Sequence, residues 1–397
     1  MINSRYIFKP VIYSFILAIA TILLFFSAAD TCISKSSLPD SINLSAGYIV
    51  KFTNPDGKFD YEVDPENNSV NQNKYNILRH SGAIYSLGQY YRLNNDKKVL
   101  DTMVKASEYL KSCCILSVNG NEDLLAVWSL PELNSSLKSK KAKLGGTGLG
   151  LVALVSLEKI KPGSTDIDYL RRLGNFILYM QKEDGSFYSR FTPSKGGRDD
   201  SWTSLYYPGE AALGLAMLFE LDPQPKWFNA SVKALTYLAD NRRGDKEVPA
   251  DHWALISTNK LIKTADENSL SIPRQKLIDH GIRVTDTILK GIPVLPKTSP
   301  VYGSLQPGGR TTPTSSRLEG LIAFYSVLHD SKLKKEIRTV SKDGIMFLEQ
   351  MQIKKGRYKG GIPEGFKGIN IDTGLIRIDY VQHALSAMIE YQNLIGT

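Results

Sequence analysis

From Tyr75 onward the chain repeats one unit: an apolar stretch with three-to-four spacing, a polar break, then a second such stretch. The breaks fall at Asn94-Asn95-Asp96, Lys161-Pro162-Gly163, Asp222-Pro223 and near Asp330, where turn-forming residues end one helix and begin the next. Each first helix carries a small residue near its start, at Gly82, Gly148, Gly209, Ala254, Gly320 and Ala384, with successive spacings of 66, 61, 45, 66 and 64 residues. Two copies agree in more detail. Gln181, Gly185 and Phe187 match Gln352, Gly356 and Tyr358 as Gln-x3-Gly-x-aromatic, lying 33 residues after Gly148 and 32 after Gly320. Agreement at both ends of the unit marks a true internal repeat.

Six hairpins with small residues on their first helices predict an all-α fold, an (α/α)6 toroid, in which the inner helices approach closely wherever side chains are small. An open α-solenoid is the rival, but its repeats are shorter, about 34 to 47 residues. The toroid is expected over residues 74–397, after an irregular lead-in over 30–73 with room for one strand around Tyr48-Ile49-Val50. The last hairpin begins at Asp379 and the sequence ends at Thr397. Its partner helix is therefore short, missing or supplied by the N-terminal region.

Residues 1–29 predict export. Arg5 and Lys9 precede an uncharged apolar run from Val11 to Ala29, which ends in Ser27-Ala28-Ala29 before Asp30. This reads as a cleaved signal peptide or, uncleaved, as a membrane anchor with the remaining chain outside the cytoplasm. With 42% hydrophobic and 22% charged residues the chain is neither disordered nor collagenous, and it lacks the apolar length of a multi-span transporter. Its net charge of +9 fits an anionic substrate or surface. Nucleic acid is not expected, because the one dense basic run, Lys138 to Lys143, has no interleaved aromatics. Three cysteines, two of them the adjacent Cys113 and Cys114, give neither a disulfide framework nor a zinc spacing, and no metal or cofactor is expected.

The polar residues concentrate at the starts of the first helices. Arg79 and His80, Tyr206, Tyr207 and Glu210, Asp251, His252 and Trp253, Arg317 and Glu319, and Arg377, Asp379, Tyr380 and His383 all fall there. Acids in a first turn favour the helix dipole by about 0.3 to 1 kcal/mol, so each carboxylate alone reads as a cap. Arginines at the same ends oppose the dipole, so Arg79, Arg317 and Arg377 point to a shared anionic partner, either those carboxylates or an acidic ligand. Glu210, Asp251, His252, Glu319, Asp379 and His383 are the catalytic candidates; the arginines, His80 and the aromatics are the substrate-binding ones. The segments Lys182–Trp202 and Pro300–Thr314, rich in glycine and charge, read as cleft-edging loops or as plain connections.

The repeat pattern and polar ring resemble the six-hairpin toroid superfamily of carbohydrate-active enzymes, which includes glycoside hydrolases, polysaccharide lyases, sugar epimerases and the C-terminal domain of glucuronyl C5-epimerases. The resemblance implies acid/base chemistry on an acidic or polar glycan: hydrolysis by a carboxylate pair, or elimination or epimerisation by histidine and tyrosine. The Gln181–Phe187 segment also looks like the repeats of terpenoid cyclases. The acidic DxDD motif of squalene-type cyclases is absent, and Asp199-Asp200 stand between Arg198 and Ser201. A non-catalytic glycan-binding or scaffold toroid is the third expectation.

Overall fold

The computed structural model describes residues 37–366 and 374–396. The export segment and the remainder of 1–36 lie outside the described residues, and among those described no helix is long and apolar enough to cross a membrane.

Twelve helices are described. They are α1 (Leu38–Lys51), α2 (Ile77–Asn94), α3 (Lys97–Cys114), α4 (Leu144–Ile160), α5 (Ile167–Met180) and α6 (Tyr207–Leu221). The second half comprises α7 (Pro225–Asn241), α8 (His252–Glu267), α9 (Arg274–Lys290), α10 (Thr311–Tyr325), α11 (Ser331–Met351) and α12 (Ile378–Gly396). The even-numbered helices pack side by side in a closed ring, α2 against α4, α6, α8, α10 and α12 in turn, with α12 returning to α2. The odd-numbered helices form the outer layer. The fold is the predicted (α/α)6 toroid.

Residue type separates the two layers. Every residue of α4 from Leu144 to Leu157 is buried, as an inner helix surrounded by neighbours requires. Helix α5 buries one stripe, including Leu170, Leu173, Ile177 and Met180, and turns its charged residues outward. Inner helices meet at the predicted small residues. A methyl group on Gly148 would fall 2.7 Å from the Glu210 carbonyl oxygen, one on Gly209 2.7 Å from the Trp253 carbonyl carbon, and one on Gly320 2.9 Å from the His252 Cα. Gly82 leaves room for the Gln382 side chain in the same way. Ala254 and Ala384, the other two predicted small residues, are buried.

The lead-in is more ordered than its composition predicts. Helix α1 occupies 14 of the residues expected to be irregular and serves as the outer partner of α12, so the toroid reaches back to Leu38. Its Ser and Gly content suggested a loop, yet Ser41 and Ser45 are buried against the end of α11. The legible signal was the capping box, in which the Ser37 side chain accepts from the Asp40 amide and the Asp40 carboxylate accepts from the Ser37 amide. The Gln-x3-Gly-x-aromatic repeat explains the closure. Gln181, just past α5, donates its amide to the Ala230 carbonyl on α7, the next outer helix, at 3.0 Å. Gln352, just past α11, donates to the Ser41 carbonyl on α1 at 2.8 Å and to Ser45 Oγ at 2.7 Å. Each repeat therefore ties one outer helix to the next, and α1 stands as the outer helix of the sixth hairpin, beside α12.

Two small antiparallel sheets lie among the loops. One orders β2 (Ser69–Asn71), β1 (Glu62–Asp64) and β8 (Ile376–Arg377). The other runs β3 (Ile115–Val118), β4 (Asn121–Ser129), β5 (Lys141–Lys143), β6 (Arg190–Thr192) and β7 (Gly197–Asp199). Most of these strands have four residues or fewer, too short for an alternating pattern to stand out in the sequence. Cys113 and Cys114 are joined in a vicinal disulfide at the end of α3, which ties no two elements together.

Gly148→Ala and Gly209→Ala should each lower the stability of the ring by about 1 to 3 kcal/mol, because the added methyl meets backbone that cannot rotate aside. Gly47 in α1 faces open space, and Gly47→Ala should hold stability or raise it by up to about 1 kcal/mol. Denaturant midpoints of the three variants test the difference.

Candidate active site

A cavity of about 540 Å³ opens where the inner helices begin, and all six contribute to its wall. Helix α2 supplies Leu78 and Arg79, α4 Leu149, α6 Tyr207 and Glu210, α8 His252 and Trp253, α10 Ser316 and Arg317, and α12 Asp379, Tyr380, Gln382 and His383. Tyr206 and Arg377, at the starts of α6 and α12, complete the rim. The sequence thus placed eleven of its fourteen candidates on this wall, and a twelfth, Glu319, stands directly behind it.

Two histidines face one another in the cavity, their ring centroids 5.9 Å apart and their planes nearly perpendicular. His252 is packed against Tyr206 at 4.9 Å and Trp253 at 5.2 Å, and its Nε2 is buried without a hydrogen-bond partner among the described residues. Burial, reinforced by the charges of His383 and Arg317, holds its pKa well below the ordinary histidine value. The ring is a neutral base. His383 is different: its Nδ1–H donates to Glu319 Oε2 at 2.8 Å. Burial alone would lower the His383 pKa, but the adjoining Glu319 carboxylate outweighs it and the net shift is upward. Glu319 is beyond the second turn of α10 and not at its start, because that helix begins at Thr311. From that depth it supports the histidine from behind.

Glu210 is a second polarised group. Its Oε2 is buried and unpartnered, occupying space left by Gly145, where a methyl would fall 1.9 Å from that oxygen. Burial, with Asp251 adding and Lys143 opposing, pushes its pKa up to about 8. Gln382 Oε1 is likewise buried without a partner on the same wall. A buried polar atom without a partner costs about 1 to 3 kcal/mol. Three of them, His252 Nε2, Glu210 Oε2 and Gln382 Oε1, belong to residues that line one cavity.

The arginines divide. Asp379 accepts from Arg377 Nε at 2.6 Å and Nη2 at 3.0 Å, and pairs with Arg79 Nε at 3.1 Å. The anionic partner of those two is a neighbouring carboxylate. Arg317 donates to the Leu305 carbonyl, and among the described residues no carboxylate is in ion-pair contact with it. Its charge faces the cavity unbalanced.

Two sequence candidates are corrected. His80 is fully buried between α2 and α3; its Nδ1 accepts from Tyr75 OH at 2.7 Å and its Nε2–H donates to the Ala106 carbonyl at 2.8 Å. It points away from the cavity, and burial lowers its pKa to about 4. Asp251 is the cap of α8: its carboxylate accepts from the Ala254 amide at 3.1 Å and from Arg242 Nη2 at 2.9 Å, and it does not line the cavity. His80 directly follows and Asp251 directly precedes a residue that does line the cavity, Arg79 and His252 respectively, a rotation that spacing alone does not fix. Sequence reasoning missed Gln382, Asn76, Gln306, Arg310, Thr312 and Ser316, all on the wall. The polar run Thr311-Thr312-Pro313-Thr314-Ser315-Ser316, with Pro313 early in a helix, was the available signal for the α10 residues.

The structure holds one further triad: His252, Glu319 and His383 offer one ligand atom each within 4.8 Å of one another, close enough for a metal ion. In the described structure His383 and Glu319 are hydrogen-bonded to each other, which suits proton transfer.

No protein-family model matches the chain, and no curated protein sequence matches it. Solved structures match its fold. A D-mannose isomerase superposes with a TM-score of 0.64 at 12% identity, over 91% of this chain and 99% of that one. A cellobiose 2-epimerase from Bacillus thermoamylovorans B4167 gives 0.61 at 12% identity, over 86% and 95%. An inactive α-1,6-mannanase variant from Salegentibacter sp. HEL1_6, with two consecutive aspartates replaced and mannotetrose bound, gives 0.62 at 11%, over 90% and 99%. This likeness establishes the toroid fold.

Glu210→Gln tests the buried acid independently of any activity. Between about pH 4.5 and pH 8 the unfolded carboxyl is ionised while the folded one keeps its proton, so wild-type stability falls with rising pH across that window. The glutamine variant lacks that component. Its melting temperature should gain on the wild type steadily from about pH 5 to about pH 8, and parallel melting curves against pH would refute the assignment.

Proposed function

We propose that this protein is a sugar isomerase or epimerase that moves a proton to and from a carbon adjacent to a carbonyl or carboxylate. The observation carrying this reading is the opposed pair of cavity histidines, one whose pKa burial drives well down and the other whose pKa Glu319 draws up. Two titratable groups whose environments push their pKa values apart are the signature of an assigned acid and base. His252 Nε2 removes the proton from carbon, leaving an enediolate-type anion. His383 delivers a proton to the oxygen that becomes negative, with Glu319 compensating its charge. Return of a proton to the neighbouring carbon gives the isomer; return to the opposite face of the same carbon gives the epimer. Trp253, Tyr206 and Tyr380 supply apolar faces for the sugar ring, and Gln382 an acceptor for its hydroxyls. Arg317 faces the developing charge or an acidic group of the substrate, in keeping with an acidic glycan. Names among the similar folds, an isomerase and an epimerase, support this class. The apolar start of the sequence supports an activity outside the cytoplasm.

Hydrolysis is the second reading, favoured by one observation: Glu210 keeps its proton to about pH 8 while the Asp379 carboxylate is clamped by two arginines on the same wall. Against it, the one Asp-Asp pair in the sequence, Asp199-Asp200, is engaged by Arg190 and Lys182 and does not line the cavity. The mannanase whose inactive form lacks two consecutive aspartates therefore finds no counterpart for them here.

The test is deuterium uptake from solvent into mannose, cellobiose and glucuronate, followed by NMR, alongside release of new reducing ends. Label at carbon without new reducing ends is expected; reducing ends without label would replace this reading with hydrolysis. His252→Asn and His383→Asn should each lower kcat by about a hundredfold to ten-thousandfold. In Glu319→Gln the alkaline limb of the kcat profile should move to lower pH, since the carboxylate that raises the His383 pKa is gone.

A further inference from the structure

Beside the central cavity lies a second pocket of about 360 Å³, bordered by Lys141, Lys143, Arg190, Trp202 and Tyr207. Tyr207 lines both spaces, so the two adjoin. Strand geometry gathers the cations. Lys141 and Lys143 are two residues apart on β5 and share a face, and Lys143 stands directly across from Arg190 on β6. Like charges directly opposite one another destabilise a sheet. Arg190 is balanced by Asp199, its cross-strand partner on β7, at 2.9 Å. For Lys141 and Lys143 no carboxylate is in ion-pair contact among the described residues. Lys143 is half-buried, and the acid whose charge acts on it is Glu210, whose own pKa burial pushes up to about 8. Two lysines are thus held at a pocket wall with their charge unmet. Above them Trp202 is 48% exposed, its ring edge-on to Tyr207 at 5.8 Å and backed by the Arg190 guanidinium. An exposed indole pinned beside a cavity is a stacking surface, and nothing in the core requires it there.

We propose that this pocket is a second sugar subsite, which holds an acidic sugar unit, uronate or sulfated, joined to the unit that reacts in the central cavity. Lys141 and Lys143 meet its anionic group and Trp202 stacks on its ring. The inference rests on the reading that the central cavity takes a sugar, and it makes the natural substrate an acidic oligosaccharide and not a free monosaccharide. A pocket of this size lies within the range that holds a small ligand.

Isothermal titration of the full chain with disaccharides of galacturonate, of mannuronate and of sulfated galactose tests it. Each acid disaccharide is paired with its carboxyl-reduced or desulfated form. At least one acidic disaccharide should bind about tenfold more tightly than its neutral counterpart, the gain expected of two partly buried charge contacts. The sugar that shows the gain distinguishes a carboxylate from a sulfate site. In Lys141→Gln/Lys143→Gln the acidic-to-neutral ratio should fall to about one, and in Trp202→Ala both forms should weaken together. Melting curves and near-ultraviolet spectra confirm folding of the variants, and Lys143→Arg should keep the ratio. Equal affinity for acidic and neutral forms across the panel, no binding at all, or a ratio unchanged in the double glutamine variant would overturn the subsite. Acid-selective binding without deuterium uptake would sink the isomerase reading alone, and uptake without charge preference would sink the subsite alone.

Discussion

The molecule depends on how closely six inner helices can approach. A ring of that number leaves a central space whose size is set by the distance between neighbouring backbones. Here that distance is set by glycine and alanine: Gly148 against Glu210, Gly209 against Trp253, Gly320 against His252 and Gly82 against Gln382. In every case the residue opposite the small one carries, or adjoins, a side chain that lines the cavity. The same contacts that close the ring therefore fix the positions of the polar groups. A small residue on one helix and a functional residue on the next form a single structural unit.

Electrostatics sorts these groups into kinds. Asp379 and its two arginines neutralise one another and stiffen the rim. Glu319 and His383 keep a proton between them deep in the wall. Glu210 and His252 have neither a counter-charge in contact nor a partner for one buried atom, and burial drives both toward the uncharged form. The cavity thus presents a buried carboxyl, a neutral imidazole and a carboxylate-paired histidine within one small volume, while the positive charge left over sits on Arg317 and on the lysines of β5. That residue of uncompensated charge, and not the overall +9, carries the argument for an acidic ligand.

Much of this was legible in the sequence because a toroid is periodic. Small residues about 60 positions apart gave the ring, and polar helix starts gave the wall. What failed did so for local reasons. His80 follows Arg79, yet one residue turns the side chain about 100° around the helix, from the cavity into the α2–α3 seam. Asp251 was taken up by its own helix as a cap. Helix α1 was hidden because serines that are buried and bonded to Gln352 look, in sequence, like a linker. The β5 pocket was hidden as well: Lys141 and Lys143 belonged to a charge run that reads as solvated loop, and only pairing with β6 sets them on one face.

The two glutamine ties have a consequence for how the molecule assembles. The bond from Gln352 to Ser41 joins residues 311 positions apart. Until α12 exists, α1, with its buried Ile42, Ala46 and Ile49, lacks its main packing surface. Hairpins made early can stack in order, since each meets its neighbour as soon as both are present. The circle itself closes last, and the entropy of joining such distant segments is met in that one step. Folding speed should therefore be governed by the seam between the two ends of the toroid, not by the formation of its repeats.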